Sequence, residues 1–343
     1  MEPLLLDFSL TKRADFASKE VILSCGAVDT PKLLQLSGVG PAAELASHGI
    51  ECILDLPGVG KNFQDHYASF VIAEQKKYTA DDVLVLRGDK DAYEAARKQH
   101  LLDGTGPLAA MYNVVVMGWK NDTALFDTPE FNSLPVETQK FLRQPNVPAW
   151  EYAAGFPTPG LDPTKSYLML CAINMAPQST GTVKLASSNP EDAPICDQNL
   201  MSHPYDRRSF IHAMKDLVKI LETPAVKDQI SAVILAPKST SDDDILEHIK
   251  NFGQTSWYVS LTSVFVFLPL IEIRHPSSTV KMGKPNDPMA CVDSNFRVLG
   301  LENLRVSDLS CAPFVPNCHP MSHTYNIGAH CAEKIIAHFG LDG

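Results

Sequence analysis

The stretch SCGAVDTPKLLQLSGVGPAAELASHGIECILDLPGVGKNFQDH, residues 24–66, decides how the rest of the chain is read. Residues 19–25 (KEVILSC) form a short apolar run stopped by Gly26, which suits a buried strand. Thr30 and Pro31 then supply an N-cap and a first-turn proline for a helix over KLLQLS. Gly38 and Gly40 end that helix, and Pro41 begins a second one, AAELASH, closed by Gly49. The following GVGKNFQDH reads as a loop, because Gly58 and Gly60 permit backbone approaches that other residues forbid. Strand, glycine turn, helix and glycine-rich break are the grammar of an α/β layer.

From residue 67 to about 274 the character changes. Prolines cluster between Pro129 and Pro163 and predict a loop-rich segment. YLMLCAINMAP and GTVKLAS read as sheet strands, the second alternating as a half-exposed strand does. Phe210, Met214, Leu217, Val218 and Leu221 recur at helical spacing and give one apolar stripe, a core face, with Arg207 and Arg208 on its solvated side. SDDDILEHIKNF opens a helix with acids where the macrodipole favours them. From His275 onward the α/β grammar returns: FRVLG and NLRVSD resemble short strands, and a final helix is expected from Tyr325 to Phe339.

A net charge of -11 over 343 residues leaves no basic surplus to neutralise phosphates, which argues against nucleic-acid or anionic-membrane partners. The 8 cysteines are scattered without a CxxC pair and read as reduced thiols. The opening MEPLLLDFSLTKRADF lacks a basic n-region and a long apolar core, and the longest apolar run, SVFVFLPLIEI, is too short to span a bilayer. A soluble, cytoplasmic protein is the expectation.

Several blocks in order resemble the glucose–methanol–choline (GMC) oxidoreductases, flavin enzymes that oxidise alcohols. GAVDTPKLLQLSGVGP and LPGVGKNFQDH carry the most specific part. APQSTGTVKLASSNPEDAPICDQNLMSHPYD resembles the family's stretch after a substrate-domain strand, with Thr180 where an arginine is common. RHPSSTVKMG, CVDSNFRVLGLENLRVSDLSCAP and NCHPMSHTYNIG resemble its three closing blocks.

The resemblance implies a mixed α/β (α+β) fold. A residual FAD-side domain would be formed by residues 1–66 and 275–343, and a substrate-binding lobe on an antiparallel sheet with helices by residues 67–274. It implies FAD-linked oxidation of a small-molecule alcohol, in secondary metabolism. His319 matches the family's principal base and His275 its partner; an imidazole titrating near ~6.5 can take and return a proton at neutral pH. Asp308, Asn62, Asp65, His66 and Pro320 fall where the family passes its cofactor. No metal site is implied: His319 and His323 are spaced i,i+4, but no Glu follows His319 as HExxH requires, and Pro320 makes a helix start there awkward.

The front of the family pattern does not occur in this sequence. No GxGxxG, the turn that holds a dinucleotide's pyrophosphate, is found in the chain. Three readings stay open on the sequence alone. In the first, the chain is one part of an FAD-dependent alcohol oxidoreductase, complemented by further polypeptide. In the second, it is a flavin-independent acid/base enzyme (cyclase, dehydratase or isomerase) acting on a natural-product intermediate in the retained pocket, with residues 1–18 covering an exposed face. The third reading is a non-catalytic remnant. A small-molecule substrate and a homodimer or complementing chain at the flavin-side face are the partners expected.

Overall fold

The structure is a computed structural model and describes residues 16–77, 89–109, 114–155, 161–162, 164–255, 275–284 and 286–341. SVFVFLPLIEI, and all but the last three residues of the 1–18 stretch, lie outside the described residues. The chain divides into two compact units. The first comprises Met1–His66, Pro177–His203 and His275–Gly343; the second comprises Tyr67–Ala176 and Pro204–Arg274. Among the described residues no helix is long and apolar enough to cross a membrane.

In the first unit the strand Val21–Leu23 pairs in parallel with Leu304–Val306, so the tail returns to the opening segment. The helix after this strand spans Gly26–Leu36 and starts earlier than the Thr30–Pro31 signal predicts. The reason is a cap supplied from far along the chain. One carboxylate oxygen of Asp308 accepts from the Gly26 amide (3.0 Å) and from the Thr30 hydroxyl (2.6 Å), so helical hydrogen bonding begins at Gly26. Pro31 then sits inside the helix, where it cannot donate to the carbonyl of Ala27. The Thr279 hydroxyl donates to that carbonyl instead, at 2.7 Å.

The core of this unit gathers Leu23, Leu34, Val59, Val280, Val292 and Val306. The closing helix, Met321–Phe339, begins four residues before the predicted Tyr325. Pro320 occupies its N-cap, where a missing N–H removes a donor that would be unpaired anyway, and Gly340 ends it in the left-handed conformation at φ 60°. FRVLG forms isolated bridges at Arg297 and Val298 in place of a strand.

Pro177–His203 belongs to this unit as well, whereas the sequence-based boundaries put it in the lobe. Its hairpin, Thr182–Lys184 with Ile195–Asp197, is held by backbone bonds to the glycine loop. Gly181 and Phe63 exchange both bonds, and the Val183 amide donates to Gly60 at 2.7 Å.

The second unit is built on an antiparallel sheet ordered Ile230–Leu235, Tyr67–Gln75, Tyr167–Asn174, Trp150–Gly155 and Val114–Lys120, with Gln254–Thr255 also paired to Tyr67–Gln75. The helix Pro204–Glu222 buries Phe210, Met214, Leu217 and Leu221, the predicted stripe, with Val218 at its margin. Arg208 departs from the expected solvated face: it pairs with Glu130 and Asp242 and is partly buried. Ser241 caps Asp242–Phe252 by accepting from the Asp244 amide. The proline-rich segment contains two short helices, Pro129–Asn132 and Val136–Leu142, besides its loops.

Candidate active site

Three segments of the first unit meet around a histidine cluster: residues 62–66, 275–282 and 308–320. Gln64 is the organiser. Its backbone bridges Ser277 in both directions (3.2 and 2.9 Å), while its side chain donates to the Pro177 carbonyl (3.1 Å) and accepts from the Val315 amide (3.0 Å). Nothing in GKNFQDH singles out the glutamine over its neighbours; only its three partner residues, Ser277, Pro177 and Val315, all distant in sequence, do so. Asn62 and Ser278 flank the bridge with φ of 57° and 71°, a left-handed backbone that Asn tolerates better than Ser. The Asn62 amide lies 3.4 Å from the carbonyls of both Ser278 and Pro313.

Asp65 fixes the next turn. One oxygen accepts from the His275 backbone amide at 3.0 Å, and the other accepts from Gln198, a residue the sequence does not flag, at 3.1 Å. His66 follows, fully buried at 0% exposure, with its Nδ1 2.9 Å from Nδ1 of His275 and the two rings at 88°. The half-buried His319 ring stands 5.3 Å from that of His275, centroid to centroid. Four of the sequence-flagged residues, Asp65, His66, His275 and His319, therefore converge. Asn62 joins through its loop, and Pro320 is the buried residue between His319 and the closing helix. Asp308 is used elsewhere, with both oxygens bonded internally, to Gly26 and Thr30 on one side and to the Ser310 amide on the other.

Burial, and next the His319 ring, push His275 down to about 4; burial, and next His275 and His319, push His66 down to about 3. Both imidazoles are thus neutral at neutral pH. Sequence reasoning expects a base titrating near ~6.5; for His275 the dry surroundings and the neighbouring ring override that value. Cys318 Sγ lies 3.2 Å from His323 Nδ1, and among the described residues no three ligand-type side chains group as a metal site would require.

Two family models, both described as GMC oxidoreductase, match residues 6–68 and 177–328. The chain belongs to the GMC oxidoreductase family. It is 36% identical to the glucose methanol choline oxidoreductase atC of Aspergillus terreus, over 94% of this chain and 49% of that protein. It is 32% identical to an alcohol dehydrogenase [acceptor] of Pseudomonas putida, over 93% of this chain and 51% of that protein. Among solved structures, a formate oxidase of Aspergillus oryzae, described in terms of its FAD modification, superposes with a TM-score of 0.75 at 26% identity, over 94% of this chain and 55% of that one. The chain spans about half the length of the curated GMC relatives it matches.

GMC structural neighbours are FAD-dependent, which makes the glycine pairs the place to test for a flavin cradle. A Cβ at Gly58 would lie 2.3 Å from the Met289 carbonyl oxygen, one at Gly60 would lie 2.2 Å from that of Val183, and one at Gly38 would lie 2.5 Å from that of Glu51. These glycines admit the protein's own backbone, not a phosphate. The N-terminus of Gly26–Leu36 is likewise taken by the Asp308 carboxylate. The described residues bring the histidine cluster together; among them these glycines and this helix N-terminus do not form the pyrophosphate cradle that FAD needs.

Proposed function

We propose that this chain carries the acid/base half of a GMC-type reaction on a small-molecule alcohol, with His275 and His319 as the pair that takes and returns the hydroxyl proton. The observation that supports the reading is the convergence of His275, His319 and His66 from three segments far apart in sequence, with His275 held neutral and its backbone anchored by Asp65. A neutral imidazole in a dry site can accept a hydroxyl proton without first losing one, and a positioned base of this kind is worth roughly 10²–10⁴ in rate. In the FAD-linked form of this reading, the substrate is oxidised and the dinucleotide is held by further polypeptide. The exposed apolar side chains of the closing helix, Met321, Tyr325 and Ile336, suit such packing. Secondary metabolism, the setting expected from the sequence, is part of this proposal.

The closed glycine pairs favour a second reading, in which the same histidines do flavin-independent proton transfer, as a cyclase, dehydratase or isomerase. One experiment separates the two. The full chain is purified, its visible spectrum is recorded, and turnover of candidate alcohols is assayed with and without added FAD. A flavin band with FAD-dependent oxidation supports the first reading, and colourless protein that turns over substrate supports the second. Wild-type rates in His319→Ala and His275→Ala would contradict both.

A further inference from the structure

The turn that leads into the closing helix sets a thiol against an imidazole. Cys318 Sγ lies 3.2 Å from Nδ1 of His323 and 3.2 Å from the carbonyl oxygen of His319. We infer that Cys318 and His323 form a nucleophile–base dyad, a covalent modification site for soft carbon electrophiles of the α,β-unsaturated carbonyl class. The role is separate from that of His275 and His319, and it needs neither the substrate nor the cofactor of the proposed reaction.

The local fold brings the two side chains together. Pro320 caps the helix Met321–Phe339, which puts His323 in its first turn. Helical side chains tilt toward the N-terminus, so one in the first turn covers the residues just ahead of the helix. A thiol attacks as its thiolate, and an ordinary cysteine is only a few per cent thiolate at neutral pH. A base at hydrogen-bonding distance lifts that limit by taking the proton as the sulfur attacks. This handover does not require either group to be charged at rest. His323 is exposed, so its ring exchanges tautomers through water and its Nδ1 lone pair is open to the thiol. Cys318 is half-buried and keeps part of its surface in solvent. Cys171, Cys291 and Cys311 are buried instead, and burial pushes their thiols up to about 12.

In the step itself the Cys318 sulfur bonds to the β-carbon of the acceptor, and the π pair of the C=C bond moves toward the carbonyl as an enolate. The proton that His323 took from the thiol is then delivered to the α-carbon. The S–H and π bonds break, S–C and C–H bonds form, and nothing leaves. No oxidant or reductant is consumed.

The test follows labelling of the full chain near pH 7 with N-ethylmaleimide, an acceptor of this class, and reads the rate at each cysteine by peptide mass spectrometry. Cys52 is exposed and serves as the reference. Cys318 is less exposed, yet it is expected to react about tenfold faster, the order of gain that a few per cent thiolate leaves available. His323→Gln, which removes the base and keeps a polar side chain, should bring Cys318 down to the Cys52 rate or below it. Unchanged rates at Cys25 and Cys52 would show that the variant is folded. A wild-type Cys318 no faster than Cys52 would overturn the inference, and so would an unchanged Cys318 rate in folded His323→Gln. If the variant does not fold, the wild-type ratio alone decides. Labelling needs no turnover, so this inference and the proposed reaction can fail separately.

Discussion

Around the histidine cluster, most polar side chains are buried and paired. Gln64, Asp65 and Ser277 have partners far away in the sequence, and even the strained Ser278 is held by the Leu309 carbonyl. In the closing helix of the same unit, Met321–Phe339, only Cys331 is fully buried, and Met321 and Tyr325 are 72% and 75% exposed. The two regions differ in how far this chain specifies them by itself. The geometry of the histidine cluster is over-determined by internal hydrogen bonds. The helix that begins directly after His319 and Pro320 contributes little core, so its outer face is not shaped by contacts within this chain.

Substitutions in the cluster should cost far more than substitutions on the helix, and the largest effect is on turnover. His319→Ala and His275→Ala are each expected to lower the rate by about 10²–10⁴ in whichever reaction the full chain supports, measured as kcat at saturating substrate. Next comes the pH dependence of stability. His275 titrates near 6.5 when unfolded and at about 4 when folded, so the unfolded chain binds the extra proton between these values. The neutral ring's contribution is full above pH ~6.5 and is lost as pH falls toward ~4. It is on the order of 3 kcal/mol at ~1.4 kcal/mol per pH unit. Denaturant unfolding at several pH values should show stability falling on acidification through this window, and the fall should be shallower in His275→Phe.

Gln64→Ala is expected to cost roughly 1–3 kcal/mol for each buried group it strands, here the Val315 amide and the Pro177 carbonyl, read as a lowered denaturation midpoint. The smallest effect belongs to the other side of the comparison: Tyr325→Ser should change stability by no more than about 0.5 kcal/mol, as exposed positions do. A large loss there would mean that the helix face is covered in solution, and gel filtration would then show an assembly that the substitution dissociates.

Local signals carried much of this into the sequence. The strand at Val21–Leu23, the helix stripe from Phe210 to Leu221 and the pair His275 and His319 all follow from apolar spacing or from ordered motifs. What stayed illegible depends on contacts across hundreds of residues. Asp308 caps a helix 282 positions earlier, which moves that helix's start ahead of the Thr30–Pro31 signal. Gln64 and Gln198 look like ordinary polar loop residues until their partners are in place. The low pKa of His275 comes from burial and a neighbouring ring, neither of which spacing encodes. The same holds for Pro177–His203, whose membership of the first unit is decided by backbone bonds to Gly60 and Phe63.

The central claim is that this chain alone holds a neutral, proton-accepting imidazole at His275. An NMR titration of the histidine ring signals from pH 8 to pH 4, assigned by comparison with His275→Phe, tests it most directly. His275 should stay neutral until about pH 4, with no inflection near 6.5. A His275 that titrates at its ordinary value would contradict the claim, because the ring would then be solvated and the cluster open.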